Sequence, residues 1–445
     1  MNTFSIGGVH PHDNKIYSAH KKIEAVPLPA KAVIPLVQHI GAPAQPVVEK
    51  GDKVLVGQLI AKAGGFVSAN IHSPFSGTIT KIDTTTDAWG MKMPAIFMDV
   101  EGDEWLPEID QTETLVREGN LESKELIDRI AAAGIVGLGG ACFPTHVKLM
   151  PPPGKTAKVL IINGVECEPY LTCDHELMLE QAEKIILGIK ILMKALSVKK
   201  AIIGIEKNKP DAIELMQSLA VKSLGIEVKP LNLKYPQGGE KQLIDACIGR
   251  QVPSGALPID VGAVVSNVAT VYAVYQAIQK NRPLISRVMT VTGKSVKRPG
   301  NYLVRFGTPL SDVIAAAGGV PDDTAMIIGG GPMMGRAMQN IDMPANKRIS
   351  GLLFLNEDEA RRQEPENCIR CGKCVNACPM GLEPYLLSRQ SELGMFDEME
   401  AHHVMDCIDC GCCQFTCPSH RPLLDYIRSG KAKVGAAIRA RAPKK

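Results

Sequence analysis

Short runs of alternating apolar and polar residues occupy the first hundred positions of the chain. The segment from Val47 to Val54 has the pattern strand, turn, strand, and residues 57–61 and 73–79 repeat it. An alternation with a period of two residues places the apolar side chains of a strand on one face, and that face packs against a core. The pattern therefore predicts a small β-sandwich domain over residues 1–108.

The order of these strands resembles that of lipoyl and biotinyl carrier domains, which carry a modified lysine on the hairpin between their two halves. Here that hairpin is Ala63–Phe66, which contains no lysine. Met91-Lys92-Met93 has the letters of a biotin signature but follows the second half, and a short motif outside its structural context is weak. We therefore expect a structural or docking module, not a carrier.

Strand and helix patterns alternate from residue 109 to residue 285. Four apolar runs predict buried strands: 158–162, 201–205, 226–228 and 263–265. From Glu176 to Leu196 apolar residues recur every three or four positions, which predicts one amphipathic helix with Asp174 as its cap. The alternation predicts a Rossmann-like α/β domain with ligand loops at the carboxyl ends of its strands.

A shorter unit follows at residues 286–352. Two strand patterns, a helix near 310–317 and a strand at 325–328 succeed one another, an order that predicts a β-grasp domain, which resembles the SLBB type. The glycine run Gly329–Gly335 is either a ligand loop or a place of tight packing against a neighbour.

Two cysteine runs of identical spacing, each followed by proline, dominate residues 353–428. They comprise Cys368, Cys371, Cys374 and Cys378, then Cys407, Cys410, Cys413 and Cys417. This is the bacterial ferredoxin pattern for two [4Fe–4S] clusters, in which the fourth cysteine of each run binds the cluster of the other run. We therefore assign Cys417 to the first cluster and Cys378 to the second, in a largely α-helical, ferredoxin-type module.

Zinc sites and disulfides are the alternatives for these cysteines. Zinc typically takes four ligands from two short pairs, and disulfide scaffolds belong to short secreted chains. Both fit two matched runs less well than clusters do. Cys412 lies off the spacing and is not expected to bind a cluster.

Residues 429–445 contain six basic and no acidic residues. This composition is typical of a solvated tail or of a segment that docks on an acidic surface.

Composition excludes several classes of function. A net charge of +3 and 4% aromatic residues argue against a nucleic-acid-binding surface. No run of 18 apolar residues is present, and the first fifteen residues lack the apolar core of a signal peptide. Thirteen cysteines indicate a reducing compartment. We expect a soluble or peripheral protein of three or four domains.

Three loops of the central domain are candidate ligand sites. Gly134–Lys148 is glycine-rich and ends in a lysine, as suits a phosphate, although a tight loop would also have this composition. Asn163–Tyr170 follows a strand and contains two glutamates, and it is otherwise an exposed turn. Tyr235–Lys241 is a glycine turn before a helix, either a cradle for a ring or phosphate or a plain connection.

The glycine loop with Phe143–Lys148, the Asn163–Pro169 stretch and the doubled cysteine run together resemble the RnfC family, the C subunits of Rnf ion-translocating electron transport complexes. The likeness covers nearly the whole chain. The central domain is also similar to the NADH-binding flavoprotein subunit of respiratory complex I, in which the corresponding loops hold FMN and NADH.

The resemblance implies roles for individual residues. Gly137, Gly139, Gly140 and Lys148 would hold the FMN phosphate and ribityl chain. Asn163 and Glu166 would lie along the flavin, with Glu168 nearby. The nicotinamide would stack on a wall of Tyr235, Gly238, Gly239 and Glu240, closed on the other side by Asn267 and Thr270, while Phe143 would face the adenine.

Several positions depart from the complex I pattern. Cys142 replaces a glycine, Lys241 an acidic residue and Ser266 an asparagine, and a second aromatic residue after Lys148 is missing. These departures affect the NADH contacts more than the FMN contacts. The eight-cysteine module, in place of a single four-cysteine site, favours the Rnf protein.

The resemblance implies an enzyme subunit that passes electrons between NAD(H) and ferredoxin through non-covalent FMN and two [4Fe–4S] clusters. Ion translocation would belong to membrane-embedded partner subunits, and the chain would lie peripherally on the cytoplasmic face of the bacterial inner membrane. The alternatives are a soluble RnfC-like cobalamin reductase and a flavin-free electron-transfer adaptor.

Overall fold

The computed structural model describes residues 2–117 and 119–441. A 3₁₀ helix at Lys15–Tyr17 and strand β1 (Glu24–Ala25) come first. The N-terminal sandwich then comprises β2 (Lys31–Pro35), β3 (Gln45–Pro46), β4 (Lys53–Val54), β5 (Leu59–Lys62), β6 (Ile71–His72), β7 (Gly77–Thr86) and β8 (Lys92–Val100). Its two sheets have the orders β2-β8-β7-β4 and β3-β5-β6 and enclose one apolar core. Lys92 lies at the tip of the β7–β8 hairpin.

The central domain is built on a four-stranded parallel sheet. Its elements are α1 (Ser123–Ala132), α2 (Thr145–Lys148), β9 (Val159–Asn163), α3 (Cys173–Glu180), α4 (Ala182–Leu196), β10 (Ala201–Glu206), α5 (Pro210–Ala220), β11 (Ile226–Leu231), α6 (Glu240–Ile248), β12 (Ala263–Asn267) and α7 (Val268–Gln279), with a 3₁₀ helix at Pro258–Val261. The strand order is β11-β10-β9-β12. The four predicted strands and the α/β class are confirmed.

The single helix predicted from Glu176 to Leu196 is two helices. Gln181, which separates α3 from α4, has φ −124° and ψ 24°, outside the helical region. Apolar periodicity missed this break because the apolar residues of both helices face the same core. Asp174 is not the cap but lies in the first turn of α3, after Thr172.

Helix α4 packs closely on α7 at Gly188. A Cβ atom there would overlap the backbone oxygen of Val271. We expect Gly188→Ala to force the helices apart and to destabilise the chain by roughly 1–3 kcal/mol, measured as a lower thermal midpoint by circular dichroism. Gly65→Ala is the control, since the nearest atom to its Cβ is 3.6 Å away. Equal midpoints for both variants would contradict the tight helix contact.

The β-grasp unit comprises β13 (Ser286–Thr292), β14 (Gly300–Arg305), α8 (Leu310–Ala316), β15 (Thr324–Gly329), β16 (Arg336–Ala337) and β17 (Gly351–Asn356). Together with β1, its strands form a six-stranded sheet of order β1-β14-β13-β17-β15-β16. Strand β17 lies between β13 and β15, so the predicted boundary at residue 352 cuts through an interior strand. Sequence order did not reveal this, because β17 is separated from β16 by a long loop.

The ferredoxin-type module consists of short helices around the cysteines. They are α9 (Glu357–Ala360), α10 (Lys373–Ala377), α11 (Pro384–Glu392), α12 (Phe396–Ala401), α13 (Cys412–Phe415) and α14 (Leu423–Arg441), with a 3₁₀ helix at Val404–Asp406. The predicted basic tail is not separate, since α14 continues without a break through the boundary at residue 429. Lys431 bonds to the carbonyl oxygen of Cys407, and Arg441 pairs with Glu400. Residues 442–445 of the predicted tail lie outside the described residues.

Candidate cofactor sites

A cleft lies at the carboxyl edge of the central sheet. Asn163 at the end of β9 and Asn267 at the end of β12 are neighbours in the parallel register. Glu240 is the first residue of α6 and lines the same cleft. Ligands of open α/β sheets bind at this edge. Nine of the predicted residues line the cleft: Gly137, Gly139, Gly140, Phe143, Lys148, Asn163, Glu240, Asn267 and Thr270.

The glycine loop closes one wall of the cleft. The amide of Gly137 donates to the oxygen of Phe143 at 2.9 Å, and the amide of Leu138 donates to the hydroxyl of Thr270 at 2.8 Å. A Cβ atom on Gly139 would lie 3.2 Å from the side chain of Asn267. Cys142 has φ +53°, a left-handed conformation that favours glycine.

Two polar features of the cleft suit a phosphate-bearing ligand. The ammonium of Lys148 donates to Glu240 Oε1 at 2.5 Å and to the oxygen of Val265 at 3.1 Å, so a cation faces the cleft. The buried hydroxyl of Ser266 lines the cleft and has no hydrogen-bond partner within residues 2–117 and 119–441. A buried hydroxyl without a partner is unfavourable unless a ligand or water satisfies it. The chemistry of the cleft therefore fits FMN.

Glu166 lies behind the cleft wall and does not line it. Its carboxylate accepts hydrogen bonds from the amide of Asp174 at 2.7 Å and from that of His175 at 3.4 Å, so it caps α3. Asp174 in turn accepts a hydrogen bond from the amide nitrogen of the Asn267 side chain at 2.6 Å. Glu166 therefore supports Asn267 through Asp174. No local pattern around these residues signalled the connection between them.

Tyr235, Gly238, Gly239 and Glu168 also lie outside the cleft lining. Gly238 is connected to the cleft through Asn163, because the backbone oxygen of Gly238 accepts a hydrogen bond from the Asn163 side chain at 2.8 Å. A Cβ atom on Gly238 would lie 3.0 Å from the sulfur of Cys167, so glycine here permits close packing. The hydroxyl of Tyr235 bonds to the cysteine module instead, and Glu168 lies beside that hydroxyl.

The buried carboxyl of Asp174 gives the central domain a pH dependence. Burial, and then the nearby charge of Glu166, raise the pKa of Asp174 to about 7. The unfolded chain releases this proton near pH 4, so stability falls as pH rises from about 4 to 7, by at most about 1.4 kcal/mol per pH unit. We expect Asp174→Asn, which retains the acceptor for Asn267, to raise the thermal midpoint at pH 8 and to raise it less at pH 5. Equal effects at both pH values would contradict this assignment.

The two cysteine runs have the same backbone shape. Arg370 and Asp409, each two residues after the first cysteine of its run, both have φ +57°. Gly372 and Gly411 have φ +73° and +78° and precede α10 and α13. Left-handed residues at equivalent positions form matching loops. The amide of Leu382 points at the sulfur of Cys378 at 3.4 Å, as expected for a loop that supports thiolate ligands.

The cysteines are grouped across the two runs. Cys378 of the first run lines one cavity with Cys407, Cys410 and Cys413 of the second. Burial raises the pKa of the Cys407 thiol to about 12, so ligation must displace its proton. Burial also raises the pKa of Cys374, and the nearby Cys417 adds to this rise. The first group is the four-thiolate donor set that one [4Fe–4S] cluster requires, and the proximity of Cys374 and Cys417 agrees with a second site shared between the runs.

These features define a protein that binds flavin and iron–sulfur clusters for electron transfer, and family models agree. The chain matches the RnfC barrel sandwich hybrid domain at residues 3–103, the Nuo51 FMN-binding domain at 130–276, the SLBB domain at 288–337 and the 4Fe-4S dicluster domain at 360–418. The predicted fold class and cofactors are confirmed.

Similar curated proteins cover nearly the whole chain. It is 48% identical over 433 residues to the C subunit of the proton-translocating ferredoxin:NAD(+) oxidoreductase complex of Clostridium ljungdahlii, covering 97% of this chain and 94% of that one. It is 42% identical over 434 residues to the Na(+)-translocating counterpart of Acetobacterium woodii, covering 97% of each. The chain belongs to this family of C subunits of ion-translocating oxidoreductase complexes.

A solved structure shares the fold. An NAD+-reducing [NiFe]-hydrogenase in the air-oxidized state matches with a TM-score of 0.50 and 17% identity, over 73% of this chain and 68% of that one. Within residues 2–117 and 119–441, every helix is too short or too polar to cross a bilayer.

Proposed function

We propose that the chain passes electrons between NAD(H) and ferredoxin as the C subunit of an ion-translocating complex. One observation carries the proposal: a single chain has a phosphate-compatible cleft at the edge of its central sheet and two four-cysteine runs, and the cavity that Cys378 shares with the second run packs against the same domain. Relatives from three bacteria that match 97% or more of this chain are named as C subunits of such complexes.

In the cleft, the amides of Gly139 and Gly140 and the ammonium of Lys148 would hold the FMN phosphate and ribityl chain, while Gly137 shapes the loop through its bond to Phe143. Thr270 keeps the glycine loop in place, since its hydroxyl accepts from Leu138. Bound FMN supplies the conversion between two-electron chemistry with NADH and one-electron chemistry with the clusters.

The other lining residues would orient the two ring systems. Asn163 and Asn267 stand side by side at the sheet edge and would present their side chains to the flavin. Phe143 is half-buried and lines the cleft, where it would face the adenine of NADH. Glu240 would separate from Lys148 when phosphate binds, which frees its carboxylate for the nicotinamide side.

The eight cysteines of the two runs would ligate the clusters, four at each site. The FMN-binding family match argues against a flavin-free adaptor, and the names of the relatives argue against a cobalamin reductase. Partner subunits would hold the chain at the membrane. We place it on the cytoplasmic face, because thirteen cysteines, eight of them with ligand spacing, suit a reducing compartment.

The test uses membranes from a bacterial strain in which the C subunit of its own complex has been deleted. Adding the purified chain should restore NAD+ reduction by reduced ferredoxin, and Lys155→Ala, an exposed change outside the cleft, should restore it equally. Cys371→Ala and Lys148→Ala should fail. Restoration by both of these variants, or by none of the proteins, would overturn the proposal.

A further inference from the structure

Tyr235 joins the central domain to one of the two cysteine sites. Its side chain is 2% exposed, and its hydroxyl donates to the carbonyl oxygen of Cys410 at 2.9 Å. The same hydroxyl lies 3.3 Å from a carboxylate oxygen of Glu168. Tyr235 belongs to the turn whose Gly238 bonds to Asn163 in the cleft, so one short turn touches both sites.

The N-terminal segment stabilises this contact between the central domain and the cysteine site. The backbone of Val9 pairs with that of Tyr235 at 2.9 Å in both directions, and the amide of Gly8 donates to the oxygen of Ala377 at 2.9 Å. A Cβ atom on Gly7, which has φ +64°, would overlap the oxygen of Cys378. Three consecutive residues therefore connect the central domain to the loop that bears Cys378.

The β-grasp unit closes the junction from a third side. Glu168 accepts hydrogen bonds from the amides of Met333 at 3.0 Å and Met334 at 2.8 Å. A Cβ atom on Gly411, next to Cys410, would lie 2.9 Å from the oxygen of Met333. The glycine run of this unit is thus a point of tight packing, one of the two predicted alternatives.

The other cysteine site is more exposed. Residues 361–371 have no regular structure and are exposed throughout, including Cys368 and Cys371. Ile369 between them is 68% exposed. In contrast, Cys378, Cys410 and Cys413 are buried, and Cys407 is half-buried, as are Cys374 and Cys417.

We infer that Cys378, Cys407, Cys410 and Cys413 form the inner of two cluster sites, held against the flavin-binding domain with Tyr235 as its positioning residue, and that Cys368, Cys371, Cys374 and Cys417 form the outer, solvent-facing site. The inference rests on the proposed cluster ligation and adds an order and a junction to it. Sequence alone could not give this order, because the two runs have the same spacing.

The hydroxyl of Tyr235 has an electrostatic consequence. Its O–H dipole directs positive charge toward the Cys410 loop, and hydrogen bonds and nearby charge help to set cluster potentials. Tyr235→Phe removes this dipole and keeps the ring, so the inner cluster should become harder to reduce. Glu168→Gln removes a buried carboxyl group and keeps the acceptor for the amide of Met333, so in this variant the inner cluster should become easier to reduce.

The first experiment measures exposure in the anaerobically purified holoprotein. An iron chelator should remove half of the iron quickly and half slowly. A double variant that retains only the outer cluster, Cys407→Ala/Cys413→Ala, should lose its iron at the fast rate. The double variant that retains only the inner cluster, Cys368→Ala/Cys371→Ala, should lose its iron at the slow rate. The reverse assignment, or one common rate, would overturn the order.

The second experiment is a redox titration of the holoprotein followed by electron paramagnetic resonance. Tyr235→Phe should lower the potential of the slowly chelated cluster, by up to roughly tenfold in its one-electron equilibrium or about 59 mV, and leave the other unchanged. A shift confined to the outer cluster, or no shift, would overturn the role of Tyr235. If the wild type lacks about eight irons, the proposed function itself fails, which separates the two outcomes.

Discussion

Removing Cys374 together with Cys417 is expected to leave about four irons per chain, whereas removing Cys374 together with Cys378 is expected to leave none. The first pair belongs to one site although its members lie in different runs. The second pair belongs to one run but to both sites. In the structure, Cys378 lines the cavity of the second run, and Cys417 lies near Cys374.

Iron and acid-labile sulfide in the two double alanine variants measure this effect directly. If each run held its own cluster, the outcome would be reversed, with about four irons left after removal of Cys374 and Cys378. Cys412→Ala is the control, because Cys412 is buried beside the inner site but lies off the spacing, and we expect it to retain about eight irons.

Lys148→Ala is expected to weaken FMN binding by roughly 10- to 150-fold, since a hydrogen bond to a charged group contributes about 1.5–3 kcal/mol. Lys148 is the cation that lines the cleft, and its present partners, Glu240 and the oxygen of Val265, cannot replace it for a phosphate. The dissociation constant is measured by quenching of FMN fluorescence on titration with flavin-free protein.

Two comparisons make this test specific. Lys155→Ala removes an exposed lysine that pairs with Asp260, and we expect no change in its FMN affinity. Riboflavin, which lacks the phosphate, should bind wild type and Lys148→Ala equally. If Lys148→Ala weakened riboflavin binding as much as FMN binding, Lys148 would not be the phosphate ligand.

The features that depend on residues close together in the sequence were predictable from local sequence patterns. The parallel strands of the central domain followed from buried apolar runs, and the cysteine sites followed from a spacing that suits a loop around a cluster. Gly137, Gly139, Gly140 and Lys148 reach the cleft because one short continuous segment, a loop followed by α2, contains them.

Contacts between distant parts of the chain were not predictable in this way. Glu166 looks like a strand-end ligand but caps α3, and Tyr235 looks like a cleft wall but points at Cys410. The position of Tyr235 depends on Val9, more than two hundred residues earlier, and nothing in either segment signals the pairing. Strand β17 was missed for the same reason, since its partners come from elsewhere in the sheet.

The most direct measurement is an anaerobic NADH titration of the purified chain, with iron, acid-labile sulfide and released flavin determined on the same sample. About eight irons and one FMN per chain, with NADH bleaching first the flavin and then the cluster absorbance, is the predicted result. About eight irons without flavin and without a response to NADH would contradict the account, and would make the central glycine loop a structural feature only.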